Sequence, residues 1–215
     1  AVIFDFGGVI TESPFEAFNR MEQARGIPAD TVRRINATNP DTNAWAMFER
    51  SEIDTAEFDR RFSAEAAAFG VSLSGADVLS CLQGAVRPRM LEALRQISSR
   101  YKTGCITNNV RNEGPDHATR DVRVAEAFSL FGHVIESSRL GIRKPDPRIY
   151  RLMLDHLGVD PVRAIYLDDL GINLKPAKAM GMTTIKVTTG DEAIAQLERL
   201  LQLRLERGLL RVELL

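Results

Sequence analysis

Apolar residues in this chain come in two kinds of run. Ala1-Val2-Ile3-Phe4-Asp5-Phe6 is apolar almost throughout and ends in Gly7-Gly8. A continuous apolar run closed by glycines fits a strand buried on both faces, as in a parallel sheet. Similar short runs recur at Tyr101 to Ile106, His133 to Ile135, Ala164 to Leu167 and Thr183 to Val187. Between them apolar residues return at helical spacing: Met90, Leu91, Leu94 and Ile97; Ile149, Leu152, Met153 and Leu157; Ile194, Leu197 and Leu201. Each set shares one helix face. Asp146-Pro147 offers an N-cap followed by proline at the first helical position, and Gly158 a stop. Strands alternating with helices predict an α/β fold with a doubly wound parallel sheet.

The stretch from Ser13 to Leu82 follows a different rule. It has no strand pattern, and Phe15, Phe18, Met21, Trp45, Phe48, Phe58, Phe62 and Phe69 fall at spacings close to helical. It reads as a helical cap over residues 13–82, inserted into a core made of residues 1–12 and 83–215. Turn residues near Asn39-Pro40-Asp41 and from Ser72 to Gly75 divide it into several helices. The leucine-rich tail from Gly208 to Leu215 is free to dock on the core or on another subunit.

Composition narrows the partners. An apolar fraction of 44% over 215 residues allows a substantial core. Lys plus Arg number 28 against 29 Asp plus Glu, so nothing in the balance calls for nucleic acid or an anionic membrane. An anionic small molecule would have to be held by local charges and a metal. The two cysteines, Cys81 and Cys105, have no metal-type spacing and read as reduced core thiols. No apolar run reaches membrane-spanning length and no basic-then-apolar leader opens the chain. The expectation is a cytoplasmic enzyme, monomer or homodimer, acting on a small metabolite.

Candidate chemistry lies at strand C-termini, where ligands bind in such sheets. The first strand ends in Asp5, the second runs into Thr107-Asn108-Asn109, the fourth ends in Asp168-Asp169, and Lys144 follows the third. Phosphoryl transfer needs an in-line nucleophile and compensation for charge on the phosphoryl oxygens. A carboxylate such as Asp5 can attack and form an acyl phosphate. Mg²⁺ takes one or two carboxylates and several waters, which suits Asp5 with Asp169. The Thr107 hydroxyl can hold one phosphate oxygen, and the Lys144 ammonium another while steadying Asp5.

The segments Asp5-Phe6-Gly7-Gly8-Val9, Ile106-Thr107-Asn108, Arg143-Lys144-Pro145 and Tyr166-Leu167-Asp168-Asp169 resemble, in order, the four motifs of the haloacid dehalogenase superfamily. Ile135 to Ser138, Gly141 to Ile149 and Leu167 to Met182 are more narrowly similar to the N-terminal phosphatase domain of soluble epoxide hydrolases and its bacterial single-domain relatives. The resemblance implies a Rossmann-like core with a small α-helical cap, Mg²⁺ as cofactor, and a small phosphorylated metabolite as substrate. It makes Asp5 nucleophile and metal ligand, and Asp169 a second ligand. Thr107 and Asn108 become phosphate binders, Lys144 stabilises charge, and Asp168 is a neighbouring acid. Asn173 takes the place of another acidic residue and would act through a metal-bound water.

The sequence departs from the family at Gly7. Most phosphatases of the family carry there a second aspartate, which protonates the leaving oxygen and then activates water. Gly7 can offer only its backbone oxygen to the metal. Loss of a general acid–base costs about 10²–10⁴-fold, least for good leaving groups such as acyl phosphates or sugar 1-phosphates. Two rival readings use the same residues: a 2-haloacid dehalogenase in which Asp5 attacks carbon without a metal, and a weakly catalytic module that binds a phosphorylated ligand. Arg87, Arg89, the three histidines (His117, His133 and His156) and the cap aromatics are read as solvated or packing residues, with Trp45 a candidate for the pocket border.

Overall fold

A computed structural model describes residues 1–82, 84–110 and 122–205; His117 and the 208–215 tail lie outside them. The five apolar runs form one parallel sheet of β1 (Val2–Phe4), β2 (Thr103–Thr107), β3 (His133–Glu136), β4 (Ile165–Asp168) and β5 (Thr183–Lys186), ordered β3-β2-β1-β4-β5. The chain winds outward from β1 to β3 on one side, then crosses back to β4 and β5 on the other. β1 is therefore the switch point, where a crevice opens at the strand C-termini.

Between β1 and Leu82 lie five helices, α1 (Pro14–Ala24), α2 (Thr31–Ala37), α3 (Ala44–Glu49), α4 (Thr55–Ala68) and α5 (Gly75–Leu79). They enclose a hydrophobic cluster of their own, with Phe18, Val32, Ile35, Phe48, Phe58 and Phe62 buried at its centre. The breaks between α2 and α3 and between α4 and α5 coincide with the two turn segments predicted from sequence. Ser74 and Asp77 close the second with a reciprocal capping box. Phe69 departs from the aromatic pattern: it caps the end of α4 and stays exposed. Two linkers join these helices to the sheet as a short antiparallel ribbon, Thr11 bridging Val86 and Glu12 N–H donating to the Ala85 carbonyl.

The remaining helices are α6 (Pro88–Ser98), α7 (Val122–Ser129), α8 (Ser137–Leu140), α9 (Pro147–Leu157), α10 (Gly171–Ala179) and α11 (Gly190–Leu201). Strand alternation divides the sheet into two faces. Val2, Phe4, Cys105, Leu167 and Ile185 pack against α6, α7 and α11, whereas Ile3, Ile106, Ile135 and Tyr166 pack against α9 and α10. The α9 ends are as predicted: the Asp146 carboxylate accepts from Arg148 N–H, and Gly158 ends the helix in the left-handed conformation. Among the described residues no helix is long and apolar enough to cross a membrane.

Candidate active site

β1 is flanked by β2 and β4, with Phe4 paired to both Cys105 and Leu167. One or two residues further along, the ends of the three central strands carry Asp5, Thr107 and Asp168-Asp169 at the same edge of the sheet. The Asp5 N–H donates to the Leu167 carbonyl at 2.8 Å, so the sheet itself fixes the backbone under this carboxylate. Asp5, Asp168 and Asp169 bring carboxylate oxygens within 4.8 Å of one another.

Lys144 reaches into this cluster from the loop before α9. Its ammonium, 1% exposed, lies 2.7 Å from Asp5 Oδ1 and 2.9 Å from Asp168 Oδ2. Burial alone would lower its pKa, but Asp168 and Asp5 together outweigh that and hold it above the ordinary lysine value. Burial raises the Asp5 pKa well above the usual carboxylate range; Lys144 opposes the rise, and Asp168 and Asp169 add to it. Asp169 is raised as well, first by burial and then by Asp168, against a hydrogen bond from Ser13. Three carboxylates facing one ammonium leave two negative charges uncompensated when all are ionised. A divalent cation with oxygen ligands answers both the charge and the donor type, so these residues fit Mg²⁺.

The two oxygens of Asp5 differ. Oδ1 accepts from Phe6 N–H at 2.6 Å and meets Lys144, whereas Oδ2 has no donor among the described residues. One oxygen is thus anchored and the other is free to face a ligand. The Thr107 hydroxyl, at the end of β2, makes no side-chain hydrogen bond to a described residue and is also available. Gly8 adopts φ +79°, and a Cβ there would overlap the Asp169 carboxylate. Only glycine lets that carboxylate lie against the backbone.

A haloacid dehalogenase-like hydrolase family model matches residues 1–181. The chain belongs to this family. It is 35% identical to acyl-CoA dehydrogenase family member 10 of Mus musculus over 97% of its own length and 20% of that protein's. It is 31% identical to the mouse bifunctional epoxide hydrolase 2, covering 91% of the chain and 38% of that protein. The chain therefore spans well under half of either relative. Sesquiterpene phosphatase astK of Aspergillus oryzae is similar end to end, at 25% identity over 93% of the chain and 95% of that protein. Among solved structures, a HAD-like hydrolase from Porphyromonas gingivalis superposes with a TM-score of 0.66 at 20% identity over 94% of this chain and 98% of that one. A Bacteroides thetaiotaomicron family member, in complex with magnesium and inorganic phosphate, gives 0.56 at 20% identity over 88% and 94%. Both structural matches speak for the haloacid dehalogenase-like fold.

Within this haloacid dehalogenase-like site, three assignments made from sequence take a different form. Asp168 is no simple neighbour or helix cap: fully buried, it accepts from Lys144, from Tyr166 O–H at 2.5 Å, from Leu170 N–H at 2.8 Å and from the Asn173 amide at 3.1 Å on each oxygen. Asn173 donates its amide N–H to Asp168, so its expected action through a metal-bound water is left to its amide oxygen. Asn108 has its amide engaged at both ends with the Lys144 backbone, accepting from N–H at 2.8 Å and donating to the carbonyl at 3.1 Å. That side chain holds the Lys144 loop, so any phosphate contact from Asn108 would have to be made by its main chain or remaining amide hydrogen.

Sequence reasoning missed Ser13 and Tyr166. Ser13 precedes Pro14 at the start of α1 and reads as a helix cap, yet it makes no cap bond and donates instead to Asp169 Oδ2 at 3.0 Å. Tyr166 lies two residues before Asp168 on β4, hence on the same face, and that alternation was the available signal. Arg87 and Arg89 are occupied elsewhere: Arg87 donates to the Thr11 carbonyl and lies near Glu16, and Arg89 pairs with Asp191. His133 and His156 stack on each other at 3.8 Å, with His133 at the start of β3, the end of the sheet away from Asp5. Trp45 packs edge-on against Phe18 and Phe58 and donates to Glu49 at 2.9 Å.

Proposed function

We propose that this hydrolase is a Mg²⁺-dependent phosphatase that transfers the phosphoryl group of a small phosphorylated metabolite to Asp5. The observation that carries the reading is Asp5 itself, with one oxygen anchored by Lys144 and Phe6 N–H and the other unpartnered beside Asp169. Asp5, Asp169 and the Gly7 backbone oxygen would hold Mg²⁺, which when bound compensates charge on the phosphoryl oxygens. Thr107 and the residues after it offer donors to the phosphate. Lys144 opposes the burial-driven rise of the Asp5 pKa and adds positive charge where phosphoryl charge accumulates. Asp168, through Tyr166 and Asn173, fixes where the Lys144 ammonium sits. The phosphatase named among the relatives supports the same reaction class. Two free cysteines, Cys81 and Cys105, are consistent with a reducing compartment such as the cytoplasm.

The deciding experiment is phosphate release from a panel of phosphate esters and anhydrides, with Mg²⁺ and with chelator, for the native protein and Asp5→Asn. Mg²⁺-dependent release that disappears in Asp5→Asn is expected. Halide release from 2-haloacids, unaffected by chelator, would instead identify the dehalogenase, whose leaving halide needs no proton at Gly7. Phosphate bound without turnover would identify a binding module.

A further inference from the structure

Gly7 is not imposed by crowding. Its φ lies outside the left-handed region, and a Cβ built there meets only the Pro14 ring, at 3.7 and 3.8 Å, which is ordinary contact. The fold has room for a side chain two residues after Asp5, and the sequence leaves it out.

Nothing described around Asp5 takes over proton transfer. Lys144 is clamped as an ammonium between Asp5 and Asp168. Tyr166 donates to Asp168, Ser13 to Asp169 and Tyr150 to the Asn173 carbonyl. Asp168 is surrounded by donors, and Asp169 is needed as an ionised ligand. Thr107 is an alcohol, as weak an acid as the alcohol it would have to protonate. Glu12 is half exposed and faces Arg20, and the described histidines pair with each other.

We infer that the site takes acyl phosphates, the mixed anhydrides of a carboxylic acid with phosphate, whose leaving oxygen departs without being protonated. The inference rests on the phosphatase reading and narrows its substrate class. Asp5 Oδ2 forms a bond to phosphorus, the bond from phosphorus to the substrate's acyl oxygen breaks, and its electron pair leaves with a carboxylate. That anion's conjugate acid has a pKa of about 4, far below that of an alcohol, so it is stable at neutral pH without an acid. The aspartyl phosphate left behind is itself an acyl phosphate. Water attacks its phosphorus, the bond to Asp5 breaks, the electron pair returns to the Asp5 carboxylate, and both water protons stay with the dihydrogen phosphate released. Both half-reactions expel a carboxylate, and neither asks for a side chain at Gly7.

The test is kcat/KM with Mg²⁺ for acetyl phosphate, a series of aryl phosphates of rising phenol pKa, and an alkyl phosphate, in the native protein and in Gly7→Asp. A steep fall with leaving-group pKa is expected natively. In Gly7→Asp the alkyl-to-acyl ratio should rise by about 10²-fold or more, the contribution of a positioned acid. Should Gly7→Asp fail to fold, the native slope decides alone. A native enzyme that cleaves the alkyl ester as fast as acetyl phosphate overturns this inference and leaves the phosphatase standing. Release from none of them overturns both.

Discussion

Replacing Asp168 with asparagine changes one atom of a fully buried side chain and tests how the charges beneath the crevice are balanced. The carboxylate meets donors on both oxygens: Leu170 N–H and the Asn173 amide on Oδ1, Lys144, Tyr166 O–H and the Asn173 amide on Oδ2. Whichever terminal atom becomes NH₂ in Asp168→Asn, at least two donors then face a donor. Lys144 also loses one of its two counterions in a site it cannot leave. Breaking a buried pair costs about 3–5 kcal/mol, and because Asp5 remains with Lys144 the lower end, about 3 kcal/mol, applies. At about 2–4 °C per kcal/mol for a chain of this size, the melting temperature should fall by about 6–12 °C. Tyr166→Phe removes one donor and leaves the rest, so its cost should be about 1 kcal/mol. Thermal melts of both variants without metal, alongside Mg²⁺ binding, provide the assay. An Asp168→Asn protein that melts within 2 °C of native, a change of about 1 kcal/mol or less, would refute Asp168 as the structural counterion of Lys144.

Other perturbations probe the same site from different sides. Asp5 and Asp169 hold protons to higher pH when folded than in the unfolded chain, because burial raises both. With the native state binding more protons in that interval, metal-free stability should fall as pH rises from the ordinary carboxylate value through the raised ones. Mg²⁺ should cancel the loss, so the Mg²⁺-induced melting shift should grow from pH 5 to 7.5, and an equal shift across that range would contradict the assignment. Gly8→Ala must strain a φ of +79° and displace the Asp169 carboxylate; a loss of about 1–3 kcal/mol and weakened Mg²⁺ binding by calorimetry are expected. Arg143 ties the cap to the Lys144 loop, 2.6 Å from Glu49 Oε2 and 2.9 Å from the Pro40 carbonyl, while Ser137 O–H donates to the Glu49 carbonyl. Arg143→Met should cost about 1–3 kcal/mol in a denaturant melt, below a fully buried pair because Arg143 is partly exposed, and should lower kcat/KM. Unchanged kinetics would mean that this contact does not set the position of Lys144.

Much of this molecule was readable along the chain, because strand and helix periods are local properties of sequence. Every predicted strand lies within one or two residues of its place, and α9 begins and ends on the cap and glycine expected of it. The chemical motifs were legible for a related reason: three of the four sit where a strand ends, a parallel sheet collects its strand ends in one crevice, and Lys144 reaches in from the loop before α9. What spacing could not reveal is which partner each polar atom takes. Ser13 looks like a helix cap until the fold brings Asp169 beside it from 156 residues away. Asn173 looks like a residue that reaches the metal through water, and only the fold shows its amide N–H laid across both oxygens of Asp168. Asn108 looks like a phosphate donor, and only the fold shows its side chain also tied to the Lys144 backbone. A side chain's chemical type is written in the sequence, but a buried hydrogen bond needs both partners within about 3 Å and desolvated together. Only the packing of β1, β2 and β4 beneath the cap decides which atoms meet that condition.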